Sequence, residues 1–436
     1  MTAEEDLART VVRKLRASGH QAWWVGGCVR DLLLGSPAKD FDIATDARPD
    51  RIMDLFPNSG RAGAHFGVVL VRDAFAQVEV ATFRSDHEYS DGRRPDCVHF
   101  ETDPREDVMR RDFAINGLMM NPETGEVLDY VQGRADLERR IIRAIGNPEL
   151  RFQEDHLRML RAVRLAARLG FSIDSVTFDA IRRDHGLILR VSAERIRDEL
   201  IRILTEGGAR RGFELLDESG MLADILPEVA AMKGVAQPPE FHPEGDVWTH
   251  TLLLLDGLRN PTPALALGAL LHDVGKPPTF RIAERIRFDG HVEEGVLLAR
   301  NIAARLRLSR DLSGRVEELI ANHMRFKDVP QMKDSTLKRF LRMPDFEEHL
   351  ELHRLDCAAS HGRLDNYELV RQRLAEFPEE HLRPERLLTG TDLIAAGYEP
   401  GPRFSEMLSM AEDAQLEGAI HTAGEALALI KKHYPV

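Results

Sequence analysis

The sequence predicts an α/β domain followed by a long, mostly helical chain. Three observations lead there. The short apolar run Trp23-Trp24-Val25 precedes Gly26-Gly27, a helix-forming stretch and then Asp40-Phe41-Asp42, which is the order strand, glycine turn, helix, strand. Two more strand-like runs follow at residues 67–72 and 78–84. From about residue 206 the pattern changes to helical spacing with Leu/Ala faces, interrupted by a Pro/Gly-rich loop at 227–246. At 436 residues the chain is too long for one ordinary core, so two to four domains are expected.

Composition narrows the class. The hydrophobic share of 43% and charged share of 30% are those of a soluble globular protein, and no apolar run approaches a membrane span. Residues 1–18 carry Glu4, Glu5 and Asp6 and read as a surface helix, not a secretory signal. Cys28, Cys97 and Cys357 lie far apart without a CxxC pair, which points to a reducing, cytoplasmic setting and away from a zinc ribbon. The formal charge of −13 argues against a broad basic nucleic-acid surface. Arginines concentrate at 105–111, 134–168 and 182–202, where a local groove could hold an RNA end.

The chemistry-bearing residues come in a fixed order. In a strand, residues i and i+2 share a face, so Asp40 and Asp42 aim two carboxylates at one point while Phe41 and Ile43 turn to the core. Paired hard oxygens suit Mg²⁺, which completes its shell with water and substrate phosphates. Gly26-Gly27 lets backbone approach a triphosphate before the helix that Arg30 and Asp31 open. Glu79, among apolar residues, offers a third acid. Arg110 and Arg111 can bind phosphate oxygens, and Asp112 and Asn116 would share a face if helical. In the helix beginning at Glu154, Asp155 and Arg158 pair a carboxylate acceptor with a guanidinium donor, able to read a base edge. Cytosine and adenine both offer an amino donor beside a ring-nitrogen acceptor, so one such template accepts C and A and rejects G and U.

On these motifs the sequence closely resembles the class II tRNA nucleotidyltransferases and bacterial poly(A) polymerases of the polymerase-β superfamily, from about residue 20 to about residue 205. The resemblance implies an α/β nucleotidyltransferase head (polymerase-β-like) followed by a mostly α-helical neck, body, HD domain and tail. It implies Asp40, Asp42 and Glu79 as catalytic acids, with Mg²⁺ on the first two. Gly26, Gly27, Arg30, Arg110, Arg111, Asp112, Asn116, Asp155, Arg158 and Arg161 become nucleotide-binding residues. The segment 86–100, with Tyr89, Asp91-Gly92 and Arg93-Arg94-Pro95, resembles the flexible loop of members that complete CCA. Asp129 with Gly133-x-x-Asp136-Leu137 matches a structural turn, and the helix at 192–200 completes the neck.

A second constellation follows: His250, His272-Asp273-Val274-Gly275-Lys276, His291, His323 and Asp356. Imidazoles and carboxylates from separate helices can converge on one or two divalent ions and activate a water for attack on phosphorus. This set resembles the HD phosphohydrolase superfamily, with His250, His272, Asp273 and Asp356 as its minimum and His291 and His323 suggesting two metals (Mg²⁺, Mn²⁺, Ni²⁺ or Co²⁺). Thr389-Gly390-x-Asp392-Leu393 and Pro400-Gly401-Pro402-Arg403 resemble the tail of HD-bearing members, whose implied role is to hold the tRNA elbow.

The expected organisation is a head at 1–140, a neck and body at 141–240, an HD domain at 241–365 and a tail at 366–436. The expected activity is template-independent addition of C and A to tRNA 3′ ends from CTP and ATP, with a metal-dependent phosphohydrolase beside it. The expected enzyme binds no membrane and is a monomer or homodimer. An A-adding enzyme or poly(A) polymerase is the nearer alternative; an HD phosphohydrolase with an RNA-binding head is the more distant.

Overall fold

The amphipathic helix Ala3–Ala17 opens the chain, buries Leu7, Val11, Val12 and Leu15 against the sheet, and is capped by Thr2, whose hydroxyl accepts from the Glu5 amide at 3.1 Å. The computed structural model describes residues 2–38, 40–61, 67–87 and 97–435. The strands that follow are β1 (Ala22–Val25), β2 (Asp42–Thr45), β3 (Ser59–Arg61), β4 (Val68–Arg72), β5 (Gln77–Thr82), β6 (Arg84–His87), β7 (Cys97–Phe100), β8 (Met119–Met120) and β9 (Val127–Leu128). Seven of them form one sheet in the order β3-β4-β5-β2-β1-β8-β9. Its neighbours are antiparallel except the central pair β2 and β5, which run parallel with Asp42 opposite Glu79.

The alternation expected of Asp40-Phe41-Asp42 holds: Phe41 and Ile43 are buried, and Asp40 and Asp42 are exposed. Strand β2 starts at Asp42, so Asp40 and Phe41 stand just ahead of it, and Trp24, itself buried, packs edge-on to Phe41 at 4.7 Å between ring centres and steadies this approach. The helix after the glycine turn is Gly27–Leu33, so it opens at Gly27, and Arg30 and Asp31 lie within it. Strands β6 and β7 pair antiparallel and flank residues 88–96. The loop motif with Tyr89, Asp91 and Arg93 lies outside the described residues.

By contacts the chain divides into two compact units, residues 1–230 with 304–308, and residues 231–303 with 309–436. In the first unit, helix Leu157–Leu169 packs against Ala193–Thr205 and Ala209–Ser219. Asp129 accepts backbone bonds from Val131, Gly133 and Arg134 at 3.1, 2.9 and 3.0 Å, the structural turn read from its motif. In the second unit, helices Val247–Gly257, Pro263–Leu271, Arg310–Asn322 and Phe346–Ala359 pack on one another. Pro263–Leu271 is buried all round from Ala264 onward, as befits a helix at the centre of its unit. The loop expected at 227–246 begins as a short helix, Pro227–Ala230, and is closed by a bridge between Ala236 and Asp246. The tail motif caps helix Gly390–Ala395: the Asp392 carboxylate accepts from the Thr389 amide and hydroxyl, both at 2.7 Å.

Candidate functional site

Gly26 ends β1 with φ 75° and ψ −132°, a backbone conformation that side chains rarely adopt. A Cβ there would lie 3.3 Å from Arg111 Nη1 and 3.8 Å from Asp42 Oδ2. The bare turn, the arginine and the carboxylate therefore surround one small space. Asp42 faces Glu79 across the parallel pair, and Asp40 stands two residues before it. Crowding by protein raises the Asp42 carboxyl to about 6; the negative charges of Glu79 and Asp40 add to this, and Arg111 opposes it. Three acids left this close fit a divalent cation, which would relieve the repulsion.

The arginine pair is aimed by a residue that the sequence reading passed over. Asp107, fully buried in helix Pro104–Met109, takes Arg110 on Oδ1 (Nε 2.9 Å, Nη2 2.5 Å) and Arg111 on Oδ2 (Nε 3.2 Å, Nη2 2.8 Å). Its signal was present, an aspartate three and four residues ahead of two arginines.

Residues 112–116 do not make the conditional α-helix; Phe113 is extended and only Ala114–Asn116 forms a 3₁₀ turn. Asp112 and Asn116 still meet, with Asn116 Nδ2 donating to Asp112 Oδ1 at 3.0 Å. Arg161 donates twice to Asp112 Oδ2, at 2.9 and 2.6 Å. Arg30 donates to Asn116 Oδ1 at 2.7 Å and to Asp31 at 2.8 Å, and Arg168 reaches Asp31 at 3.2 Å. Arg161 and Arg168 stand two turns apart on one helix, so this relay leaves that helix and returns to it. Residues read as nucleotide contacts are thus bonded to one another as a rigid floor. Other members of the arginine-rich stretches are paired within the protein: Arg158 with Glu154 at 2.6 Å, and Arg164 with Glu199 at 2.6 Å.

Asp155 needs a correction. Helix Pro148–Glu154 ends just before it, the next helix begins at Leu157, and Asp155 sits in the break with extended backbone. It does not share a helix face with Arg158, because its carboxylate caps the Leu157 amide at 3.1 Å and binds Arg195 at 2.7 Å. Arg195 comes from Ala193–Thr205, the helix expected to complete the neck. Arg158 also donates to the carbonyl of Arg110 at 3.0 Å, which ties it to the arginine pair.

In the second unit the other five predicted residues gather around Asp273. His250, His272 and Asp273 form one group of potential ligands and Asp273, His291 and His323 another, each within 4.8 Å. Asp356 Oδ1 lies 3.1 Å from His250 Nε2. Four imidazoles have Nδ1 against an acceptor: Glu244 Oε1 for His250 (2.7 Å), and the carbonyls of Ala269, Phe288 and Ile320 for His272, His291 and His323 (3.0, 2.9 and 2.7 Å). The carbonyls hold the proton on Nδ1 of His272, His291 and His323, which leaves their Nε2 lone pairs for the centre, whereas His250 lies between the carboxylates of Glu244 and Asp356. The Nε2 atoms of His250 and His272 face each other at 3.3 Å, and those of His291 and His323 are buried without a hydrogen-bond partner. Buried, orphaned lone pairs beside the Asp273 carboxylate fit a divalent cation.

Charges follow the same arrangement. Burial opposes protonation of His250, yet its bonds to Asp356 and Glu244 raise it to about 9. Burial and the neighbouring His272 push His323 down to about 4. Gly275 explains the glycine of the motif: a Cβ there would come within 2.0 Å of the His291 carbonyl oxygen. Glu244, His242 and Gln237 were not found from sequence, since they sit in the loop whose closure brings them in. Glu244 also accepts from His242 at 2.8 Å, and Lys276 bridges Asp273 and Gln237 at 2.6 and 2.7 Å.

Residues 22–143 match the poly A polymerase head domain, 170–233 the probable RNA and SrmB-binding site of polymerase A, and 247–358 the HD domain. The chain thus carries a poly A polymerase head domain and an HD domain. The CCA-adding enzyme of Lactobacillus delbrueckii subsp. bulgaricus is 43% identical over 226 residues, 52% of this chain and 57% of that one. That of Geobacillus thermodenitrificans is 42% identical over 220 residues, 50% of this chain and 54% of its own length. The matches thus span little more than half of these curated relatives. The structure of the Bacillus stearothermophilus CCA-adding enzyme in complex with CTP superposes with a TM-score of 0.77 at 29% identity, covering 99% of this chain and 98% of that one. The head match contains the acids, the glycine turn and the arginine pair, and the HD match contains Asp273 and the five residues gathered around it. Among the described residues no helix is long and apolar enough to cross a membrane.

Proposed function

We propose that this chain adds C and A nucleotides to the 3′ end of tRNA, drawing on CTP and ATP. The observation that carries the reading is the meeting of Asp42, Glu79, Gly26 and Arg111 around one space, with Asp40 beside it. Asp40 and Asp42 would hold Mg²⁺, which when bound lowers the pKa of the attacking 3′-hydroxyl and neutralises the departing pyrophosphate. Gly26 admits phosphate oxygens against bare backbone, and Arg111, steadied by Asp107, meets their charge. The floor from Arg161 to Arg168 holds these groups in register. Asp155, Arg158 and Arg195 select the base edge. The names of the relatives favour CCA addition over A-only or poly(A) synthesis, and the converging acids count against a head that merely binds RNA.

The second centre is proposed as a metal-dependent phosphohydrolase acting on phosphate-blocked RNA ends, with Mg²⁺, Mn²⁺, Ni²⁺ or Co²⁺. Its support is the set of Nε2 lone pairs turned inward around Asp273. A division at 1–140, 141–240, 241–365 and 366–436 accompanies this reading, as do a cytoplasmic location, in keeping with the buried free thiols of Cys28 and Cys357, and a monomer or homodimer.

The test is direct. With tRNA ending at the discriminator base, at C or at CC, the protein extends each end with the nucleotide that completes CCA. Asp40→Ala and Asp42→Ala abolish extension and leave tRNA binding mostly intact. Extension by either variant above about a tenth of the wild-type rate, roughly 1.4 kcal/mol of barrier, overturns the assignment.

A further inference from the structure

A cavity of about 1100 Å³ opens over the histidine centre, lined by Asp273, His291, His323 and Asp356 at one part and by Phe241, on the loop before Val247–Gly257, at another. This is at or above the upper end of small-molecule sites, about 300–1,000 Å³, and far larger than a phosphate group needs. Its lining is mixed in charge: Arg285, Arg287, Lys327 and Arg363 can meet an anionic ligand, while Glu240, Asp289 and Asp365 stand in the same wall.

Phe241 is 51% exposed. A single exposed phenylalanine is commonplace on a protein surface, but this one stands on a braced loop. The bridge between Ala236 and Asp246 closes the loop, the amides of Phe241 and His242 donate to the Pro238 carbonyl at 3.1 and 3.0 Å, and Glu244 ties the loop to His250 at 2.7 Å. The same loop therefore steadies an imidazole of the centre and holds an aromatic ring open to the cavity. By contrast Phe288, in the same lining, is already occupied, with Phe280 at 5.9 Å and Lys276 over its ring at 5.4 Å.

We propose that Phe241 is a base-stacking, specificity-determining residue: it holds the nucleobase of a nucleoside phosphate whose phosphate group lies at the histidine centre. This rests on the phosphohydrolase reading of that centre. A flat π face accepts any base, so the site selects for nucleotides over simple phosphate esters without selecting among bases.

The probe is 2-aminopurine riboside 2′-phosphate, whose fluorescence is quenched on stacking, mixed with the full Ni²⁺-loaded chain and read by stopped flow before turnover. Wild type quenches the probe. Phe241→Ala loses the quench and weakens affinity roughly ten-fold, Phe241→Trp restores both, and calorimetric affinity for inorganic phosphate moves less than about two-fold in either. A trinucleotide carrying the same phosphorylated end separates the sources: tighter binding than the mononucleotide assigns an RNA terminus, weaker binding a free nucleotide, and Phe241 governs the quench in both. A quench that survives Phe241→Ala, or an equal loss of phosphate affinity, overturns the proposal. Wild type that binds phosphate but not the probe overturns the stacking alone; wild type that binds neither overturns the phosphohydrolase reading with it.

Discussion

Asp112 receives two donors from Arg161 and one from Asn116, and nearly all of its carboxylate is enclosed. Burial works against its charge, but Arg161 and these hydrogen bonds prevail and hold the carboxyl well below the usual carboxylate range. A depressed folded-state value means that the stabilisation is fully present above the unfolded value, near 4, and is lost as pH falls through the folded one. Asp112→Asn should therefore lower thermal stability at neutral pH and flatten the acid limb of the stability curve below about pH 4. Because Arg161 is partly open to solvent, the loss should sit at or below the low end of the roughly 3–5 kcal/mol typical of broken buried pairs. Calorimetry from pH 3 to 7 checks it, and an unchanged acid limb would refute it. Base selection belongs to the same scale. Replacing Asp155 and Arg158 together with Ala should relax discrimination against UTP and GTP by more than it weakens triphosphate binding. Arg195→Ala should do part of the same, since it holds the Asp155 carboxylate at 2.7 Å. Misincorporation kinetics with each NTP decide, and a double variant that still rejects UTP as wild type does points to another selector.

Secondary-structure elements show how far local pattern reaches. Asp40-Phe41-Asp42, Gly26 and the strands near 67–72 and 78–84 were legible because alternation and glycine chemistry act within a few residues. The break at Asp155 was not, because helical spacing runs through Glu154-Asp155-His156-Leu157 without proline or glycine, and the interruption is held by Arg195 from 40 residues away. Asp107 and Glu244 were missed for a related reason: each acts on groups aimed only once the chain has folded. Gly275 was read as part of a motif, and the structure gives its cause. Its Cα hydrogen faces the His291 carbonyl and the Gly295 amide, where a methyl group would stand 2.0 and 2.5 Å away. Gly275→Ala should therefore push the start of helix His291–Arg305 outward and draw His291 off the Asp273 group, while leaving His250 and His272 in place. Bound Ni²⁺ per chain, measured by mass spectrometry, should drop by about one equivalent; full occupancy would show that the segment absorbs the methyl group.

Over the whole molecule, two sets of chemistry-bearing residues are distributed between two compact units, the acids with the glycine turn in one and the histidine centre in the other. Among the described residues each set draws its members from one unit, so each should fail alone. His272→Ala removes one member of the His250–His272–Asp273 group and leaves Asp40, Asp42, Glu79 and the arginine pair untouched. The variant should lose divalent-metal-dependent hydrolysis of 2′,3′-cyclic phosphate, 2′-nucleotide or phosphate ends by at least about a hundred-fold, and should keep CTP and ATP addition within about two-fold. A shared chain has a chemical rationale: an RNA terminus blocked by phosphate cannot offer the free 3′-hydroxyl that nucleotide addition consumes, and the proposed phosphohydrolase would clear it. The decisive substrate is therefore a truncated tRNA ending in a 2′,3′-cyclic phosphate. Wild type loaded with Mg²⁺, Mn²⁺, Ni²⁺ or Co²⁺ should extend it, His272→Ala should not, and prior removal of the phosphate should restore extension by the variant. Extension of the blocked end by His272→Ala at the wild-type rate would reduce the centre to a scaffold.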